Sequence, residues 1–157
     1  MGALNIPGVA EKLGVEYIRA VTFGGSSNAD VHLSSTVLGT AGGAVALINI
    51  NEPNVFVKNI QLQVAAKLTT STGTFTIGDT DVDGYWTDTL IVGTSTAANF
   101  NDMSTAAAYG MGKLYTSSDV INVTKAGAAA SAISANSLVK ARVIYVRGVE
   151  DSLNANT

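Results

Sequence analysis

Four of the chain's twelve acidic residues fall close together, at Asp79, Asp81, Asp83 and Asp88. The first three alternate and end in Asp83-Gly84, the spacing of the first half of a calcium loop. Alternate side chains there supply oxygens, the glycine permits a sharp turn, and the Tyr85 carbonyl would be the next ligand. The twelfth loop position is Leu90, where a helix–loop–helix calcium site carries glutamate, so Asp88 is the late carboxylate that would replace it. Asp79, Asp81, Asp83 and Asp88 are therefore a candidate calcium loop. The plain alternative is a surface turn, where Asp and Asp-Gly are common. Tyr85 and Trp86, the chain's sole tryptophan, follow at once. They could stack on a sugar ring, but large aromatics more often anchor a core or an interface, and that is the reading adopted for Trp86.

Asp30, His32 and Ser34 alternate, so on a strand they share one side. The three residue types invite a nucleophilic triad. A triad needs converging geometry and an oxyanion hole, which a row along one strand does not provide. Val31 and Leu33 should take the core side and leave this row in solvent. His32 is the sole histidine, so other acid–base schemes would rest on carboxylates alone. Phosphate loops, a dinucleotide fingerprint and a paired-histidine zinc motif are absent from the sequence. Lys140 and Arg142 share one face of a late strand, which reads as a solvated face.

The elements that must position these residues read as short strands. Val55 to Ala65 alternates clearly, with Phe56, Ile60, Leu62 and Val64 expected on the apolar face and Lys58 out of place among them. Period-two patterns also cover Val15 to Phe23, Asp30 to Val37, Phe75 to Ile77 and Leu138 to Arg147; Ala44 to Ile50 reads as an apolar strand, and Lys113 to Thr116 and Val120 to Thr124 as further strands. Asn51-Glu52-Pro53-Asn54 is a turn, and Thr89 to Ala98 reads as a short helix or an irregular crossing. Residues 99–111 and 126–136 read as loops. The expected architecture is an all-β antiparallel sandwich, jelly-roll-like, with about eight strands. An N-terminal arm (1–14), one sandwich domain (15–149) and a polar C-terminal tail (150–157) are the expected divisions.

Composition narrows the function classes. Charged residues make up 13% of the 157, against roughly 25% in an ordinary soluble domain. A sparsely charged surface is poorly protected against self-association, which suits a protein covered by neighbours. The net charge is −3 without a basic cluster, so no footprint for nucleic acid or an anionic membrane is expected. Cysteine is absent, which removes disulfides and thiolate chemistry. The N-terminus has neither the basic start nor the apolar run of a secretory signal, and no stretch approaches the roughly eighteen apolar residues of a membrane-spanning helix.

The order of features resembles small jelly-roll head proteins of tailed bacteriophages, the decoration or cement proteins. The segments that carry the resemblance are GTFTIGDTDVDGY, DVINVTKAG and the late strand LVKARVIYV, within residues 44–147. The resemblance implies a non-enzymatic capsid accessory without a cofactor, a homotrimer that binds the major capsid protein on the outer surface of the virion head. Leu4, Ile6 and Val9 of the arm, with Trp86, are the interface candidates. The alternatives are another phage part (tail, neck or fibre) and a carbohydrate-binding β-sandwich module. The latter would need several aromatics on one face, and the tyrosines and phenylalanines here are scattered.

Overall fold

Alternating apolar side chains commit the long segments to strands with one buried face. The computed structural model describes residues 2–6, 14–25, 27–33, 43–66, 74–91, 101–102, 112–126 and 138–148. Eleven strands lie among them. These are β1 (Leu4–Ile6), β2 (Glu16–Gly24), β3 (Val31–His32), β4 (Ala44–Ile50), β5 (Val55–Ala66), β6 (Thr74–Gly78), β7 (Thr87–Ile91), β8 (Asn101–Asp102), β9 (Lys113–Tyr115), β10 (Asp119–Ala126) and β11 (Leu138–Arg147). They form two sheets. One has the order β1-β4-β10-β6-β7; the other has the order β3-β2-β11-β5-β8, with β9 also paired to β5. No helix occurs among the described residues.

The fold is the expected all-β sandwich. Successive strands change sheets from β4 to β5 to β6, and again from β10 to β11, the kind of crossing a jelly roll uses. Three expectations are corrected. Among the described residues the strands number eleven rather than about eight: β1, β7 and β8 are added, and β1 and β8, with three and two residues, are too short to show a period. The sheets are mixed, since β1 runs parallel to β4 and β3 parallel to β2. The stretch from Thr89 begins inside strand β7, paired with β6, rather than in a helix.

Inner faces of the two sheets supply the core. β11 buries Val139, Ala141, Val143 and Tyr145 and turns Lys140 and Arg142 outward. Val21 and Phe23 of β2 lie opposite Ala141 and Val139, and β4 adds Leu47, Ile48 and Ile50. Burial of each valine, leucine, isoleucine or phenylalanine among them contributes about 1.5–3 kcal/mol. Tyr17 stacks on Tyr145 across the β2–β11 pair, with ring centroids 5.8 Å apart.

β5 resolves the misplaced lysine. Its buried residues are Val55 and Val57, then Ile60 and Leu62, so the phase changes between them. Opposite, Tyr145 pairs with Val57 and Ile144 with Asn59, leaving Lys58 as the extra residue of a β-bulge. The bulge turns Lys58 to solvent, where it pairs with Glu16 of β2 on the far side of β11. Phe56 consequently falls on the outer face, not the apolar one expected for it.

Residues 4–6 of the expected N-terminal arm form strand β1. Leu4, Asn5 and Ile6 pair with Ile48, Asn49 and Ile50, and Ile6 is fully buried in the chain's own core. Arg147 at the end of β11 also points inward and is 4% exposed. Its guanidinium meets Glu52 through two parallel hydrogen bonds, one Nε to Oε1 and one of 2.5 Å to Oε2. The turn that carries Glu52 ends at Asn54, whose φ of 61° is a left-handed conformation asparagine tolerates. The C-terminal tail and residues 127–137 lie outside the described residues.

Candidate functional site

The acidic segment forms a folded-back corner after β6. A Cβ on Gly78 would lie 2.1 Å from the carbonyl carbon and oxygen of Asp83, so no side chain fits where the turn returns over the strand. Asp79 N–H donates to the Val82 carbonyl at 3.1 Å, and Tyr85 N–H donates to the same oxygen at 3.1 Å. Trp86 N–H then rejoins the ladder by donating to Ile77 O at 2.8 Å.

The Asp79 carboxylate is the centre of the corner, and its side chain is 0% exposed. Its Oδ1 accepts from the N–H groups of Asp81 and Val82, both at 3.1 Å, which closes an aspartate turn. Its Oδ2 accepts from Lys113 Nζ at 2.8 Å and from the Tyr115 hydroxyl at 3.0 Å. That hydroxyl accepts in turn from Trp86 Nε1 at 3.2 Å. Four donors thus satisfy a buried charge that would otherwise be costly.

Lys113 binds the corner to β9. Its ammonium also lies 3.2 Å from Asp81 Oδ2 and about 5 Å from the ring centroids of Tyr85 and Tyr115. Gly112, with φ +80°, lets the chain approach β5, since a Cβ there would lie 2.6 Å from the Val57 carbonyl. The Gly112 carbonyl accepts from the Tyr85 hydroxyl at 3.0 Å. On the other side, Thr80 Oγ1 donates to Asp119 Oδ1 at 2.6 Å, tying the corner to the start of β10. A groove of about 350 Å³ beside this link is lined by Asn49, Asn51, Thr80, Ser118 and Asp119 among others.

Electrostatics at the corner shift three groups, Asp79, Lys113 and Tyr115. Burial alone would raise the Asp79 pKa, but hydrogen bonds from Lys113, Val82 and Tyr115, with the lysine's charge, hold it below the ordinary 3.8. Burial alone would lower Lys113, and its hydrogen bonds to Asp79 and Asp81 hold it above the ordinary 10.5. Burial, then the charge of Asp79, pushes the Tyr115 phenol up. A general acid or base needs a pKa close to the working pH. Here the carboxylate, ammonium and phenol are each fixed in the form they already hold near pH 7, which suits a structural brace.

The structure redistributes the expected sites. Oxygens of Asp79, Asp81 and Asp119 lie within 4.8 Å of one another, so Asp119 takes the place read for Asp83. Asp83 is exposed on the tip, and the Asp88 side chain lies outside the described residues. The Lys113 ammonium supplies positive charge at Asp79 and Asp81, and the carboxylates that converge are Asp79, Asp81 and Asp119 rather than the four of the expected loop. Trp86, 2% exposed, anchors the core rather than a sugar or an interface, and it meets Tyr85 edge-on at 5.2 Å. Ile6 is likewise a core position; Leu4 is half-buried against the same core, and Val9 lies outside the described residues. Asp30 Oδ2 accepts from Thr22 N at 3.1 Å and Thr22 Oγ1 at 2.9 Å, so it braces β2. His32 is exposed beside buried Val31 and Leu33, as expected, and Ser34 lies outside the described residues. Sequence reasoning missed Lys113, Tyr115, Asp119 and the Arg147–Glu52 pair. No local pattern marks them, because each partner arrives from a distant strand.

Two solved chains on which this fold superposes come from phage capsids. A chain in the cyanophage Pam1 capsid asymmetric unit superposes with a TM-score of 0.58 at 18% identity, over 94% of both chains. A chain in the capsid of Ralstonia phage GP4 superposes with a TM-score of 0.61 at 16% identity, over 90% of both. At such identities the likeness shows a shared fold. No protein-family model matches the chain, and no curated protein matches it in sequence.

Proposed function

We propose that the protein is a non-enzymatic structural component of a phage virion, a decoration or cement protein on the outer surface of the head. The observation that carries this reading is the fold shared with a chain of the Pam1 capsid over 94% of both chains. The corner supports it from another direction, because its ionisable groups are set for rigidity rather than proton transfer. In this reading the protein binds the major capsid protein across capsomer junctions, works as a homotrimer and needs no cofactor. Multivalent contact lets modest single interfaces add up to tight attachment. The buried Trp86 weighs against a carbohydrate-binding module, which would hold its tryptophan on the surface.

Rebinding tests the proposal. Purified chain mixed with heads stripped of accessory proteins should sediment with them to saturation at a fixed number of copies per head. Recovery of the chain in the supernatant at every concentration would refute a head-binding role.

A further inference from the structure

Strand β1 sits at the edge of its sheet and, among the described strands, pairs with β4 alone. The pairing is parallel, so no tight turn dictates it. The seat is specific nonetheless. Leu4, Asn5 and Ile6 lie in register with Ile48, Asn49 and Ile50, and Asn49 Nδ2 donates to Asn5 Oδ1 at 3.0 Å. Ile6 is 0% exposed, so a vacated seat would leave a cavity in the core. The β4 edge therefore requires a strand, and the strand that fits it is Leu4–Asn5–Ile6.

The connection from β1 to β2 is long enough to reach another copy. Ile6 ends beside Ile50, the last residue of β4. Gly14 N–H donates to Arg147 O at 2.8 Å, and Arg147 lies opposite Val55, the first residue of β5. The connection therefore crosses between the sheets at the end where β4 passes to β5. That passage uses residues 51–54, whereas β1 is joined to Gly14 by residues 7–13. A segment of the latter length reaches about 24 Å when extended, against roughly 10 Å between packed sheets.

We propose that β1 is an exchangeable strap: in the assembly, Leu4–Asn5–Ile6 of one copy takes the seat on β4 of a second copy, in the register it has here. Exchange keeps every contact of the strap, so its cost is set by the connection and by the local concentration of seats. Copies held side by side raise that concentration into the millimolar range. Each copy gives one strap and receives one, so exchange closes a dimer or runs round a ring. This deepens the proposed self-association and rests on it, yet it concerns the isolated chain and can fail separately from head binding.

Cysteine trapping tests the exchange, and the chain carries no cysteine of its own to confuse it. Asn5→Cys and Asn49→Cys are made in separate chains, coexpressed, concentrated to about 1 mM and oxidised mildly. Only a strap seated on another copy brings the two substituted positions together. The mixture should therefore shift from monomer to disulfide-linked mixed dimer on a non-reducing denaturing gel, with the link mapped between positions 5 and 49. Each variant alone gives the background of chance links between like positions. Unchanged melting curves establish that the variants fold. A single chain carrying both substitutions gives a second reading: an exchanged strap yields covalent oligomers, and a strap seated on its own chain yields an internal disulfide only. Mixed dimers no more abundant than the background, or a double variant that closes within one chain, would overturn the proposal. If such a chain still bound stripped heads, the virion role would stand and the exchange would fall.

Discussion

The Lys113 ammonium donates to Asp79 at 2.8 Å although 34 residues separate them in sequence. This pair joins the corner after β6, in one sheet, to β9, at the edge of the other. It supplies positive charge beside Asp79, which explains why a carboxylate can sit wholly buried at a turn.

The pair should set the pH limits of the corner. A folded-state pKa below the ordinary 3.8 stabilises the fold above that value and is lost as pH falls through the lowered one. A folded-state pKa above the ordinary 10.5 stabilises the fold below that value and is lost as pH rises through the raised one. Asp79→Ala, which leaves the ammonium without its buried partner, should cost about 3 kcal/mol or more near neutrality. The stability gap between wild type and an Asp79→Asn, Lys113→Met variant should stay flat from about pH 5 to 9 and change beyond. Denaturant titrations across pH measure both, and a gap that varies through neutrality would contradict the assignment.

Calcium should have little effect. Asp81→Ala removes one exposed ion pair of Lys113 and should cost about 1 kcal/mol or less. The shift in melting temperature should be the same with calcium and with a chelator. A calcium-dependent rise in the wild type that Asp81→Ala abolishes would instead place the ion at Asp79, Asp81 and Asp119.

Gly78 should not tolerate a side chain. Alanine there drives a Cβ into the Asp83 backbone, at a cost of about 3 kcal/mol or more. Gly2→Ala is the control, since a Cβ there meets nothing within 4 Å. Equal melting temperatures for the two variants would show that the corner does not fold over Gly78.

Sequence made the long strands legible and hid what joins them. Ala44–Ile50 and Leu138–Arg147 could be read with their bounds, because the first is an apolar run between turn signals and the second alternates over ten residues. The parallel pairing of Leu4–Ile6 with β4 could not, since three residues carry no period and a parallel partner leaves no turn signal. Lys58 was a legible anomaly whose cause was not: a lysine out of phase is the trace of a bulge, but the extra residue shows only in the register with β11. The candidate site divided in the same way. Asp79 and its turn were visible locally, while Lys113, Tyr115 and Asp119 come from other strands. The type and place of Trp86 suit a core or an interface anchor equally, and only packing decides for the core.

The bulge makes its own prediction. Deleting Lys58 should remove the extra residue, keep Val57 and Ile60 facing inward and cost about 1–2 kcal/mol. Deleting Gln61 moves every later residue to the opposite face and should abolish folding. Soluble expression and circular dichroism of the two deletions distinguish the cases, and similar behaviour of both would argue against a bulge at Lys58.

The central claim, a structural role on the outside of a phage head, is tested most directly by cryo-electron microscopy of the virion that carries this chain. The account predicts density for the two-sheet body on the outer capsid surface, straddling capsomer junctions in threefold groups. A map in which this fold is absent from the capsid surface, with the chain accounted for in the tail or missing from the particle, would contradict it.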